Sequence, residues 1–284
     1  MRDFHQAVGL LSATLLCAVL SGAVQGQDIA VTHCQGTCPV YDSPVATAQG
    51  RIVIHHLYAA ALNGETGLAD WVAYRLTPEA IGVASLLPRS WQADRLVRFS
   101  PLEDVIEVGD SELRLSEVAR DSASPYAGAN ATVVEPENRA RLAPMTSFAN
   151  TPYWPDLNNL SNMVPMPSPL RLGAWLQLEQ SLNRVVSADR ELYVIAGPLH
   201  LISTLSVNLG SSNFSPAAYY KVVSDGNGTV AFMFPEHMGQ FESFCAFPIP
   251  YQELEDMVSL NFFPGRNKRQ DSAELLTALG CENQ

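Results

Sequence analysis

Three segments between Asn138 and Glu179 concentrate the groups able to do chemistry. They are Asn138-Arg139-Ala140-Arg141-Leu142-Ala143-Pro144, then Leu157-Asn158-Asn159-Leu160-Ser161-Asn162-Met163-Val164-Pro165-Met166, then Arg171-Leu172-Gly173-Ala174-Trp175-Leu176-Gln177-Leu178-Glu179. Arg139, Arg141 and Arg171 bring guanidiniums, whose planar fork of donors meets phosphate oxygens in pairs. A guanidinium stays protonated near neutrality, so it cannot take a proton from water, and it offers no acceptor atom to a cation. Asn158 and Asn162, each close to a proline, have the composition of turn residues. Glu179 is the one carboxylate of the third segment. Such a set can hold phosphate, but it contains no evident general base.

The elements that must position these residues follow from pattern. The third segment belongs to a predicted helix from Ser168 to Val185, with Ser168 as N-cap and Pro169 at the first helical position. Its apolar residues Leu172, Trp175, Leu176, Leu178 and Leu182 recur at near-helical spacing. The runs Arg51–Tyr58 and Asp70–Leu76 have strand character, with the turn signal Asn63-Gly64 between them. Further strands are expected at Glu191–Ala196, Ala217–Val223 and Val230–Phe234, and short helices at Gln252–Val258 and Ala273–Leu279. The acidic stretch Phe99–Arg120 is expected to be a surface excursion, with Asp121–Asn130 as a turn-rich return. Mixed strands with few helices suggest an α+β domain on a central antiparallel sheet flanked by helices.

Bulk properties set the context. Arg2, an apolar run from Val8 to Leu20 and small residues near Ala23–Gly26 are the parts of a secretory signal peptide. The expected organisation is therefore a signal over 1–26 and a single domain over 27–284, secreted or periplasmic, without a transmembrane anchor. Cys17 leaves with the signal, and Cys34, Cys38, Cys245 and Cys281 remain. Four cysteines allow three pairings, of which Cys34 with Cys38 is local; a zinc site is the weaker rival, because no ligand cluster joins Cys245 or Cys281. The formal net charge is -12, from 17 Lys and Arg against 29 Asp and Glu. Sequence-independent nucleic-acid binding relies on basic residues neutralising phosphates, so the overall charge gives such binding no help unless the arginines gather on one face.

In order and spacing the three segments resemble the DNA/RNA non-specific endonucleases of the ββα-metal class. That family's pattern runs Asp-Arg-Gly-His-x-Ala-Pro, then Asn-x-x-x-Ser-Asn-x-x-Pro-Gln, then Asn-x-Gly-x-Trp-x-x-x-Glu. Asp70-Trp71-Val72-Ala73-Tyr74 resembles a strand of the same family, and Pro88-Arg89-Ser90-Trp91 falls where it carries an Arg-x-Trp that reaches the active site. The resemblance runs from Cys34 to Cys281. It implies a ββα-metal fold and the pairings Cys34–Cys38 and Cys245–Cys281. It also implies phosphate-facing Arg89 and Arg139, nucleic-acid-contacting Asn158 and Asn162, and Glu179 as the carboxylate that orients metal-bound water.

Two positions depart from the family's chemistry. Arg141 stands where the family has its general-base His, and Arg171 where it has the Asn that ligates Mg²⁺; Asn138, Ala140 and Met166 change the same surroundings. No cofactor is expected, and Arg171 is not expected to ligate a metal. The implied protein is an endonuclease-like phosphate or nucleic-acid binder with impaired catalysis. The alternatives are a Mg²⁺-dependent endonuclease using an unidentified base, and an interaction module for an acidic ligand. Of the candidate replacement bases His55, His56, His200 and His237, His56 aligns with a strand His that looks structural in the family, and nothing in the sequence places His200 or His237 near Arg139. Arg171 and Glu179 lie about two helical turns apart on a similar face. Arg171 is therefore expected either to give Glu179 a permanent cationic partner in place of metal or to point to solvent.

Overall fold

The structure is a computed structural model, and it describes residues 31–42, 51–62, 68–92, 94–96, 105–108, 112–115, 136–186, 190–200, 216–265 and 271–281. The expected signal over 1–26, the Asn63-Gly64 turn and the return over 121–130 lie outside them. The strands are β1 (Val40–Tyr41), β2 (Arg51–Ile54), β3 (Ala59–Leu62), β4 (Ala69–Leu76), β5 (Val105–Val108), β6 (Glu112–Leu115), β7 (Arg139–Arg141), β8 (Met163–Pro165), β9 (Leu192–Leu199), β10 (Ala218–Ser224), β11 (Thr229–Pro235), β12 (Pro248–Ile249) and β13 (Leu260–Asn261). The α-helices are α1 (Ser168–Leu172), α2 (Ala174–Val186), α3 (Tyr251–Val258) and α4 (Ala273–Ala278). Among the described residues no helix is long and apolar enough to cross a membrane.

Seven strands form one sheet in the order β12-β11-β10-β9-β4-β3-β2, every neighbouring pair antiparallel. Alternation along the strands divides the core in two. Val72, Tyr74, Val194, Ala196, Tyr219 and Val223 face a large cluster that takes in Trp175, Leu178 and Leu182 of α2. Trp71, Ala73, Ile195, Tyr220 and Val222 face the other side, against Tyr251 and Leu254 of α3 and Phe262. The α+β class with a central antiparallel sheet flanked by helices is what the structure has. Of the acidic stretch Phe99–Arg120, the described part is the hairpin of β5 and β6.

Two elements differ from the sequence reading. The run Arg51–Tyr58 is not one strand. It turns after Ile54, where the His55 N–H donates to the Tyr58 carbonyl at 2.8 Å, and the chain returns as β3. The predicted helix over Ser168–Val185 is two helices broken at Gly173. Pro167, not Ser168, holds the cap position of α1, and Ser168 makes no capping hydrogen bond. Leu172, predicted on the apolar face, is 48% exposed. The position admits only glycine, since a Cβ on Gly173 would stand 2.5 Å from the Gln240 carbonyl oxygen and 2.6 Å from that of Pro169. Both obstacles are backbone, so neither can swing away. The two disulfides are Cys34–Cys38 and Cys245–Cys281, the pairing that the resemblance implied.

Gly173→Ala is accordingly expected to destabilise the protein by about 1–3 kcal/mol through overpacking. Denaturant unfolding checks this as a lowered midpoint with an unchanged slope.

Candidate functional site

The site is built on the hairpin of β7 and β8, in register Arg139↔Pro165, Ala140↔Val164 and Arg141↔Met163. Residues two apart on a strand share a face, so Arg139 and Arg141 project to one side and the buried Ala140 to the other. Alongside runs the segment through Arg89 and Trp91. The Gln92 N–H donates to the Asn158 carbonyl, and the Leu160 N–H donates to the Gln92 carbonyl, both at 3.0 Å. Two short 3-10 helices, Trp154–Asn158 and Leu160–Asn162, feed β8.

Arg141 is clamped. Its Nη2 donates to the Arg89 carbonyl at 3.0 Å and to Asn158 Oδ1 at 2.5 Å, and its guanidinium carbon lies 4.2 Å above the centre of the Trp91 ring. Its Nε is buried without a partner. Burial first, then the charges of Arg89 and Arg171, push its pKa down to about 10. It therefore remains a cation at neutral pH and cannot serve as a base. Arg171 donates through Nε and Nη2 to the Glu137 carbonyl, at 3.2 and 2.8 Å. Burial and the charge of Arg89 hold its pKa below the ordinary value as well. Arg89 is exposed. Arg89 and Arg171 lie near enough to Arg141, and Arg89 to Arg171, for their charges to act on one another. Arg139, at the start of the hairpin, is buried at 8% exposure.

The side-chain amides of both asparagines have partners within the protein. Asn162 is fully buried; its Oδ1 accepts from the Ala143 N–H at 2.8 Å, and its Nδ2 donates to the Ala143 and Leu157 carbonyls, each at 3.0 Å. It is a brace that fixes the exit of β7. Asn158 spends its Oδ1 on Arg141 and its Nδ2 on the Pro88 carbonyl at 3.1 Å. It orients the guanidinium rather than offering a free amide.

Glu179 has a partner that the sequence reading missed. Lys221, on the same face of β10 as Tyr219 and Val223, places its ammonium 3.2 Å from Glu179 Oε1 and 3.8 Å above the Trp175 ring. The lysine is fully buried and Glu179 is 7% exposed. Burial raises the pKa of Glu179 and lowers that of Lys221, while their mutual attraction opposes both shifts. The idea that Arg171 pairs with Glu179 is thus wrong, since Arg171 holds a backbone carbonyl instead. Strand alternation offered a signal, because Lys221 is one of only two lysines in the chain and stands inside an apolar strand.

A magnesium ion does not fit this donor set. Mg²⁺ requires oxygen ligands in near-octahedral array, yet both asparagine oxygens are engaged, Glu179 serves a buried lysine, and Arg171 has only donors. Among the described residues no three His, Cys, Asp or Glu side chains gather as a metal site.

The histidines have other partners. Across the Arg89–Gln92 segment lies a cavity of about 650 Å³ lined in part by His55, His56, Asp94 and Asp156. His55 Nε2 lies 2.7 Å from buried Asp94, which also accepts from Ser161, and His56 pairs with Asp156 at 3.3 Å while stacking on Tyr153. His237 is exposed beside Glu236, and burial lowers the pKa of His200.

A β-hairpin carrying Arg139 and Arg141, followed by a helix carrying Glu179 and packed on an antiparallel sheet, defines the ββα-metal nuclease fold. The comparisons agree. The profile described as DNA/RNA non-specific endonuclease matches residues 40–269, and the chain belongs to that family. It is 27% identical to a nuclease of Serratia marcescens, with 94% of this chain and 97% of that protein covered. A nuclease of Nostoc is 24% identical over 76% of this chain and 74% of its own length. The crystal structure of an EndoG/EndoGI complex superposes with a TM-score of 0.55 at 19% identity, covering 78% of this chain and 88% of that one, which is a likeness of fold.

The buried pair generates a test. Lys221→Met leaves the Glu179 carboxylate buried without its cation and is expected to cost about 3–5 kcal/mol, most of it recovered by adding Glu179→Gln. Arg171→Ala is expected to change stability by less than about 1 kcal/mol. Chemical denaturation of the four proteins, wild type included, measures both.

Proposed function

We propose that this protein is an exported, nuclease-fold binder of phosphate-containing ligands, nucleic acid among them, whose hydrolytic activity is absent or weak. The observation that carries the reading is the clamping of Arg141. The side chain at the place of the family's base is a guanidinium fixed by Arg89, Asn158 and Trp91. Hydrolysis of a phosphodiester needs a group to accept the proton of the attacking water and a cation to neutralise the departing oxygen. Arg89, Arg141 and Arg171 can hold a phosphate and neutralise its charge. None of the three can accept the proton. Arg139 and Glu179 belong to the same frame, and Asn158 and Asn162 support it from beneath. Export is supported by the basic start, the apolar run and the small residues of the first 26 positions, together with two disulfides.

The test is cleavage of supercoiled plasmid with Mg²⁺ or Mn²⁺. Wild type is expected to leave the plasmid intact. Arg141→His combined with Arg171→Asn is expected to raise the rate by at least about a hundredfold, the scale of a restored general base. Efficient wild-type cleavage that disappears in Glu179→Ala would overturn the reading.

A further inference from the structure

We propose that the site formed by Arg89, Arg141 and Arg171 prefers a terminal phosphate monoester, the dianionic end group of a short oligonucleotide or a mononucleotide, over the monoanionic diesters inside a long strand. This deepens the phosphate-binding reading and rests on it.

Three observations point the same way. First, among the described residues no carboxylate bonds to Arg141 or Arg171. The causes acting on Arg141 are burial, Arg89 and Arg171, and those acting on Arg171 are burial and Arg89. Arg171 meets a carbonyl oxygen, and so does Arg141 along with an amide oxygen, so neither guanidinium is neutralised by its contacts. Arg141 is largely buried, and there the like charges of Arg89 and Arg171 act more strongly than they would in bulk solvent. A dianion relieves that repulsion about twice as far as a monoanion in the same place, since the Coulomb energy scales with its charge.

Second, the Arg141 Nε–H is buried and unpartnered while Nη2 of the same group is fully committed. A buried donor without an acceptor is rare in folded proteins, and an anion in contact with the group is one explanation. A terminal phosphate presents three peripheral oxygens, whereas an internal diester has only two non-bridging ones.

Third, the whole chain carries a net charge of -12. A long strand extends its negative charge beyond the arginine cluster and over that acidic surface, where repulsion accumulates within the screening length. A short ligand with its charge at one end avoids this cost.

The experiment measures anisotropy of fluorescein-labelled tetrathymidylate bearing a 5′-phosphate or a 5′-hydroxyl. A third probe is an unphosphorylated single strand of about 40 nucleotides, long enough to reach beyond the cluster. At about pH 7.5 the phosphorylated tetramer is expected to bind at least about tenfold tighter than its hydroxyl twin, and no weaker than the long strand. The advantage should shrink at about pH 5, because the second proton of a monoester comes off near pH 6. Both tetramers meet the same protein groups, Glu137 beside Arg171, the His55–Asp94 and His56–Asp156 pairs and the Glu179–Lys221 pair, and differ only in the terminal group. Inorganic phosphate and thymidine monophosphate as competitors separate a free phosphate from a nucleotide end. Sulfate, dianionic throughout, should compete equally at both pH values. Arg89→Gln, an exposed change that leaves the fold intact, and Arg171→Gln should each remove most of the advantage without lowering the melting temperature. Equal binding of the two tetramers, tighter binding by the long strand, or an advantage undiminished at the lower pH overturns the inference and leaves phosphate binding standing. Absence of binding by every probe overturns both.

Discussion

Lys221 has no contact with solvent, and the placement of helix α2 depends on it. Its ammonium lies between the Trp175 ring and the Glu179 carboxylate, two side chains of that helix. Desolvating a lysine and a glutamate is expensive, and their attraction offsets the cost only when the geometry is close. The helix cannot slide or rotate on the sheet without separating that pair. Because α2 continues from α1 across the Gly173 break, this anchoring also sets where Arg171 projects and how Glu137 and the hairpin meet it.

The site above that anchor is tense. The charges of Arg89 and Arg171 act on Arg141, whose pKa is pushed down to about 10, and the Asn158 amide and the Arg89 carbonyl hold its guanidinium in place. Asn158 spends both ends of its side chain on positioning, and Asn162 does the same for the strand exit. Asn158, with the Arg89 carbonyl and the Trp91 ring, holds Arg141 out of solvent. Arg141 and Arg171 are thus held by hydrogen bonds to neutral groups, which fix direction without cancelling charge.

Much of this was legible in the sequence, for identifiable reasons. The sheet strands announced themselves through β-branched and aromatic runs, and Leu192–Leu199, Ala218–Ser224 and Thr229–Pro235 extend the predicted strands by only a few residues. The arginine positions were legible because flanking apolar and glycine residues pinned the spacing. The turn at His55 was not, since no Gly, Pro or Asn marks it and its hydrogen bond is made by backbone. The helix break at Gly173 was hidden for another reason. A helix tolerates one glycine, and the clash that forbids a side chain comes from Gln240, distant in sequence. Glu179 was correctly placed on the helix, but its partner lies 42 residues later, and local pattern says nothing about which strand will face a helix. The direction of an asparagine side chain is equally invisible, so the hold of Asn158 on Arg141 and of Asn162 on the exit of β7 could not be read from pattern.

The bond between Cys245 and Cys281 joins residues 36 positions apart, and α3, β13 and α4 all lie inside the loop it closes. Arg266, Lys268 and Arg269 lie within it too, a basic cluster of the kind that trypsin-like proteases cut after. A cut there opens the backbone but releases nothing, since the severed piece carrying α4 stays tethered through sulfur to the segment that follows β11. Leu275 and Leu279 of that piece remain in the large core. A molecule cut within that stretch would be a two-chain protein with the sheet face that carries Lys221 still covered. Only proteolysis together with reduction would free the end of the chain.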